Sequence, residues 1–350
     1  MAVGQGNNDS VFSYLALGRE TTFGTGVTTT ASLEFISSGM KVTQGKKILE
    51  QVERRRVHST NINMGKTVEG EIESYFYPEN TACAWILQNA LGGAITSATS
   101  TGETVGGLAF SHTVDIGNVL DQTYASMTIN TRKGDATSGK AFEYTGNRTS
   151  ELSLSFELDE ALKFSSSFMG KDFTSAGTDV ESLLTSTCYE GLSFVNGRVS
   201  VETSFAALTS TSFWHVQTGS ISISNSLKNG NESRRLGSDT LEVLPPGMAA
   251  ITMTLGIRFD TTTALDAMTA NTQLSAELEF LGDTLAGSAI RKGLKLQLPK
   301  CHIDDAGDPE IGGPDEQLLS EVSFQVLHDC SSAGGFSLRS ILTNLIANYN

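Results

Sequence analysis

Four residues come nearest to a ligand set: Cys301, His302, His328 and Cys330. Thiolates and imidazoles are what zinc takes, at tetrahedral corners. Cys301 and His302 are neighbours, however, and neighbours on a strand face opposite ways, so the set reads as structural. The acidic run Asp304, Asp305, Asp308 and Glu310 offers oxygen ligands. It lacks the spacing of a calcium loop, and Pro309 stiffens it, so it reads as a solvated turn. The paired carboxylates Asp159 and Glu160 fall between two alternating stretches, where a hairpin turn wants polar residues in any case. Asn147-Arg148-Thr149 and Asn231-Glu232-Ser233 match glycosylation sequons, cheap matches in a chain this rich in Ser and Thr. No nucleophile elbow, P-loop or HExxH is present. The expectation is a protein with no catalytic residues, no metal and no cofactor.

Charge offers a different kind of chemistry. Between positions 41 and 66 there are seven Lys or Arg against two Glu: Lys41, Lys46, Lys47, Arg54, Arg55, Arg56 and Lys66. Between 301 and 330 there are eight Asp or Glu and no base. A basic strip and an acidic strip in one chain fit head-to-tail association of copies, or else two solvated loops of opposite sign. The net charge of −15 argues against adhesion to nucleic acid, since phosphate contacts need clustered Lys and Arg.

The elements that would carry these strips are strands. With 350 residues, 18% charged, 39% hydrophobic, 35 Gly and only 6 Pro, the chain reads as mainly β, with polar faces built from hydroxyls. No apolar run is long enough for a membrane helix. Residues 1–10 lack the basic and apolar regions of an export signal, so folding in a cytosol is expected. Cysteines 83, 188, 301 and 330 are widely spaced and read as free thiols, the tryptophans Trp85 and Trp214 as core anchors.

An order of features occurs twice. Residues 67–77 alternate, with Glu69, Glu71 and Glu73 on one face and Val68 and Ile72 on the other; 250–259 does the same, with Thr252 and Thr254 opposite Ile251, Met253 and Leu255. Each stretch is preceded by a candidate strand, 33–42 and 219–225, and a long polar connection, 43–66 and 226–249. Each connection carries arginines, Arg54-Arg55-Arg56 in the first and Arg234-Arg235 in the second. Each second strand is followed by a short helical pattern, 80–91 (capped by Asn80 and stopped by Gly92-Gly93) and 261–270. Further alternating strands close each half, 151–158 with 162–169 and 293–298 with 322–327. The reading is a tandem of two β units, 1–175 and 216–350, joined by 176–215. Connections this long need a reason. A β-hairpin arm gripping a neighbour would explain both; an ordinary flexible excursion is the alternative.

The first ninety residues contain, in this order, Leu17-Gly18-Arg19-Glu20-Thr21-Thr22-Phe23-Gly24-Thr25, Leu33-Glu34-Phe35-Ile36-Ser37-Ser38, the Arg54-Arg55-Arg56 cluster, Val68-Glu69-Gly70-Glu71-Ile72, Tyr77-Pro78-Glu79 and the helix ending at Leu91-Gly92-Gly93. In this the chain resembles the tail tube (major tail) proteins of long-tailed, siphovirus-type bacteriophages. Tyr144-Thr145-Gly146-Asn147 and Leu298-Pro299 before the acidic run add to it. The doubled unit departs from the shortest members, which have one tube domain.

The resemblance implies tandem β-sandwich or half-barrel units with a flanking helix. Units would join edge to edge into rings, and rings would stack into the tube through which DNA passes during ejection, without specific binding. Partners would be further copies of the chain, tail terminator and tail tip proteins, and a tape measure protein in the lumen. The site would be the virion tail, after synthesis in the bacterial cytoplasm. With two units per chain, homotrimers of pseudo-sixfold symmetry are expected, homohexamers otherwise. Lys46, Lys47, Arg54, Arg55, Arg56, Arg234 and Arg235 are expected at the ring-stacking interface, with Asp304, Asp305 and Asp308 as acidic partners. Glu69, Glu71, Glu73, Thr252 and Thr254 are expected to line the lumen; a solvated outer face is the alternative for the three glutamates. A non-catalytic β-rich surface adhesin that binds ligand is the competing function.

Overall fold

The computed structural model describes residues 10–50, 57–58, 60–100, 109–116, 126–134, 139–184, 188–208, 213–259, 261–307, 318–330 and 335–349. The first half contributes β1 (Tyr14–Glu20), β2 (Ala31–Ser32), β3 (Ser37–Ser38), β4 (Lys41–Ile48), β5 (Asn61–Tyr75), α1 (Thr81–Leu91), β6 (Thr96–Thr99), β7 (Phe110–Asp115), β8 (Ser126–Lys133), β9 (Lys140–Glu157), β10 (Lys163–Gly170) and β11 (Asp172–Thr174). The second contributes β12 (Gly197–Glu202), β13 (Val216–Ser224), β14 (Ala250–Arg258), α2 (Thr263–Thr269), β15 (Leu274–Thr284), β16 (Arg291–Asp305), β17 (Leu319–Val326) and β18 (Arg339–Asn344). The protein is mainly β, and every strand pairing among the described residues is antiparallel.

The helices form where the sequence signals them. Asn80 caps α1 by accepting a hydrogen bond from the Ala82 amide at 2.8 Å, and Gly92, at φ 74°, ends it in the left-handed conformation that glycine tolerates. The alternating stretches become strands with one buried and one exposed face. In β10, Phe164, Ser166 and Phe168 point inward, and in β14 Ile251, Met253 and Leu255 do. Asp159, at φ 63°, turns the chain between β9 and β10.

Strand order repeats. The first half runs β4–β5–β10–β9 and the second β13–β14–β17–β16. In each, a helix follows the second strand, and a hairpin (β8–β9 or β15–β16) leads into the last. The outer strand β1 pairs with β8 as β12 pairs with β15. The two runs are joined edge to edge: β9 pairs with β13, from Thr218 opposite Glu157 to Ser224 opposite Glu151. Asn225 latches this seam to α1, donating to the carbonyls of Ala90 (2.8 Å) and Thr149 (3.0 Å) and so satisfying one orphan carbonyl at the helix end.

The halves are also interlocked at the C-terminus. β18 lies between β16 and β7, carrying a first-half hairpin (β6–β7) onto the second-half sheet. Buried Asn344 donates to the Pro78 carbonyl at 2.6 Å and meets His112 Nε2 at 3.1 Å. Buried Tyr349 accepts from Arg19 and Trp85 through its carbonyl. One apolar core runs through both halves, with Trp85 and Trp214 packed at its margin.

Candidate assembly surfaces

One face of the sheet β4–β5–β10–β9–β13–β14–β17 packs on the core; the other carries hydroxyls and carboxylates. The registers put Glu69, Glu71 and Glu73 of β5 beside Met169, Ser167 and Ser165 of β10, and those serines beside Glu151 and Ser153 of β9. Across the seam the same face continues through Ser222 and Ser220 of β13 to Thr252 and Thr254 of β14, then to Gln325 and Ser323 of β17. The face is cross-linked: Ser165 donates to Glu71, Ser222 to Glu151 at 3.1 Å, and Lys41 pairs with Glu69 at 3.2 Å. The five residues expected on a lumen therefore share one continuous, solvent-accessible face. The serines of β9, β10 and β13 belong to it as well. Their alternation was visible in the sequence, but serine carries no charge to single it out.

The two long connections differ. In the described part of 43–66, β4 and β5 form a hairpin arm: they stay paired out to Ile48 opposite Asn61, and the Leu49 amide reaches the Thr60 carbonyl at 3.1 Å. Lys46 sits opposite Asn63 and Lys47 opposite Ile62, all exposed. Arg54, Arg55 and Arg56 lie outside the described residues. Exposed Ile48, Ile62 and Met64 give this arm an apolar component that charge counting did not bring out.

Residues 226–249 form no strand, so a hairpin arm explains only the first connection. The chain folds back around a small core of its own, Leu227, Leu241 and Leu244, with Phe23 and Met169 against it. From there it braces the arm. Arg234 donates to the carbonyls of Lys66 (2.6 Å) and Asp239 (3.1 Å), the Lys66 amide donates to the Asp239 carbonyl (2.7 Å), and Lys66 Nζ pairs with the Asp239 carboxylate at 3.0 Å. That pairing raises the Lys66 pKa and lowers that of Asp239. Gly65 leaves room for the guanidinium, because a Cβ there would meet Arg234 Nη1 at 2.1 Å. Arg235 pairs with Glu242 at 3.3 Å.

Asp304 and Asp305 end β16 and are exposed; Asp305 accepts from the Gly307 amide at 2.9 Å. Asp308 lies outside the described residues. Cys301 faces the core, its thiol donates to the Leu274 carbonyl, and burial pushes its pKa up to about 12. His328 instead meets Ser337 at the surface. Among the described residues no three His, Cys, Asp or Glu side chains are grouped to hold a metal ion.

The described residues thus present an open hydroxyl-and-carboxylate face, a hairpin of exposed residues and acidic residues at a strand end. A family model described as phage tail tube protein matches residues 13–326. The chain belongs to the phage tail tube protein family. It is a structural component of the virion tail, and the family's role is self-assembly into a tube together with other tail proteins. A comparison with curated proteins gave no match to the chain. No helix among the described residues is long and apolar enough to cross a membrane.

Proposed function

We propose that this tail tube protein forms stacked rings whose channel is lined by the face bearing Glu69, Glu71, Glu73, Thr252 and Thr254, and that DNA passes through this channel during ejection. The observation that carries the reading is the continuity of that face across both halves. Hydroxyls and carboxylates give a wet, anionic wall that phosphates do not adhere to, which is what a conduit for DNA requires. The chain comprises two tube units, 1–175 and 216–350, with 176–215 between them lending β12 to the second. Three copies therefore complete a ring of pseudo-sixfold symmetry. The hairpin arm, with Lys46, Lys47, Arg54, Arg55 and Arg56, engages the next ring, and Arg234 and Arg235 stand at its base. The acidic residues Asp304, Asp305 and Asp308 are the complementary surface on neighbouring copies. The tape measure protein occupies the channel, terminator and tip proteins close the ends, and the subunit is made in the host cytoplasm. The role is structural rather than catalytic. Family membership favours it over a ligand-binding adhesin.

Cysteines placed at Glu71 and Thr254 test the channel. In assembled tubes both should react with a bulky maleimide at least tenfold more slowly than in free subunits. Equal rates in the two states would put this face on the outside.

A further inference from the structure

The seam between β9 and β13 can be carried by the repeated strand order onto the two outer edges of the sheet. Placing β5 on β14 with Glu69, Glu71 and Glu73 over Thr252, Thr254 and Gly256 carries every neighbouring strand with it. Lys41 and Thr43, the partners of Glu69 and Thr67, fall on Ser222 and Ser224, the partners of Thr252 and Ala250. On the far side, Ser167 falls on Ser323, and Glu151, the partner of Ser167, falls on Asp305, the partner of Ser323. Within the chain, Ser224 stands opposite Glu151 and Ser222 opposite Ser153. The equivalent of the first pair is Thr43 opposite Asp305, and of the second, Lys41 opposite Gly307.

Both edges are open for this. Among the described residues β4 pairs only with β5. β15 leaves β16 at Cys301, and beyond it β16 is paired, among the described residues, only on its other edge, by β17. β9 has the same arrangement: β8 leaves it at Asn147 and β13 takes the edge from Glu151 onward.

We infer that β4 of one copy adds to the end of β16 of the next, antiparallel, with Thr43 opposite Asp305 and Lys41 opposite Gly307. This rests on the ring reading above, names the strands that close the ring, and moves Asp305 from the stacking surface to the seam within a ring. The charges agree with the register. Inside the chain, Ser222 donates to Glu151 across the seam at 3.1 Å. Between copies the same diagonal places Lys41 against Asp305, a hydrogen bond replaced by an ion pair, within reach of a long side chain. Lysines on β4 also disfavour the wrong pairing. An edge strand is a general template, but two β4 edges would set Lys41, Lys46 and Lys47 against their own kind, whereas the β16 edge offers Asp304 and Asp305. The intramolecular seam is fixed by connectivity and needs no such device, and it is lined by serines.

The register can be trapped. The Asn225 amide donates to the Ser150 carbonyl, which makes Ser224 and Glu151 a non-hydrogen-bonded pair, the kind whose Cβ atoms lie closest. By equivalence Thr43 and Asp305 of two copies are such a pair, suited to a disulfide. A chain carrying Thr43→Cys and Asp305→Cys, assembled and mildly oxidised, should run as covalent dimers and trimers on a denaturing gel. The two-residue slip, Lys41→Cys with Asp305→Cys, should give at least tenfold less. Lys41→Asp should reduce ring formation at least tenfold, and adding Asp305→Lys should restore it. Rings that form from the wild type while the Thr43→Cys, Asp305→Cys chain assembles without cross-linking, or no rescue by the swap, would overturn the seam and leave the tube reading standing. Wild-type protein that forms neither rings nor tubes would overturn both.

Discussion

Residues 43–66 and 226–249 occupy the same place in the strand order, each between a strand and the one it pairs with next, and each carries arginines. One projects and the other folds back. β4 lies at a sheet edge, so its ladder with β5 can run on past the core, and the residues there, Lys46, Lys47, Asn61 and Asn63, are content in water. β13 lies between β9 and β14. The chain leaving it contains Leu227, Leu241 and Leu244, which bury together, and Pro245-Pro246, which cannot donate to a ladder. Equivalent positions in the two strand runs are thus built for different tasks. One connection reaches outward, and the other fixes the base of the first through Arg234, Asp239 and Lys66. In a ring of three chains the channel would repeat six times but the arms only three.

The strongest break of this contrast is to remove the arm. Replacing residues 46–63 by an Asn-Gly turn should leave a folded, soluble subunit, judged by circular dichroism, and reduce tube growth at least a hundredfold. The matching cut of 230–243 removes Leu241 from its small core and should impair folding itself. If either deletion had the other's effect, the division of tasks would be wrong.

Single substitutions sharpen the same contrast. Leu241→Ala should lower stability in urea titration by about 2–3 kcal/mol, as expected for truncating a buried leucine. Ile62→Ala, on the exposed arm, should change it by less than about 0.5 kcal/mol while slowing assembly. Equal stability losses would mean that the arm is part of the core.

The smallest effect is electrostatic. The hydrogen bond from Lys66 holds the Asp239 carboxyl below its ordinary range. A depressed carboxylate supports the fold fully above its unfolded pKa of about 3.9 and loses that support as pH falls through the folded value. A spin label at Asn63→Cys should therefore gain mobility as pH is lowered below about 4. Asp239→Asn should be mobile from the start and show no such step. Identical titrations of the two proteins would remove Asp239 from the brace.

Much of this architecture could be read from residue order. Strict alternation at 67–75 and 250–258 marks half-buried strands, and Asn80 with Gly92-Gly93 delimits α1, because capping and period two are local physics. The separate fates of the two connections were only partly legible. Pro245-Pro246 and the three leucines argue against a second hairpin, but that Arg234 meets Lys66, 168 positions away, depends on the fold. The seam was not legible at all. Which strand lies beside β9 is decided by tertiary pairing, and only the β9–β13 register turns Thr43 and Asp305 into partners. Asn344, which joins Pro78, His112 and Tyr349, is likewise one more polar residue until β18 is placed between β16 and β7.

Electron cryomicroscopy of the assembled protein, viewed down the axis, tests the central claim most directly. The account predicts rings of three chains around an open channel, six repeats of the inner strands and three arms contacting the next ring. Six chains per ring, or particles without a channel, would contradict it.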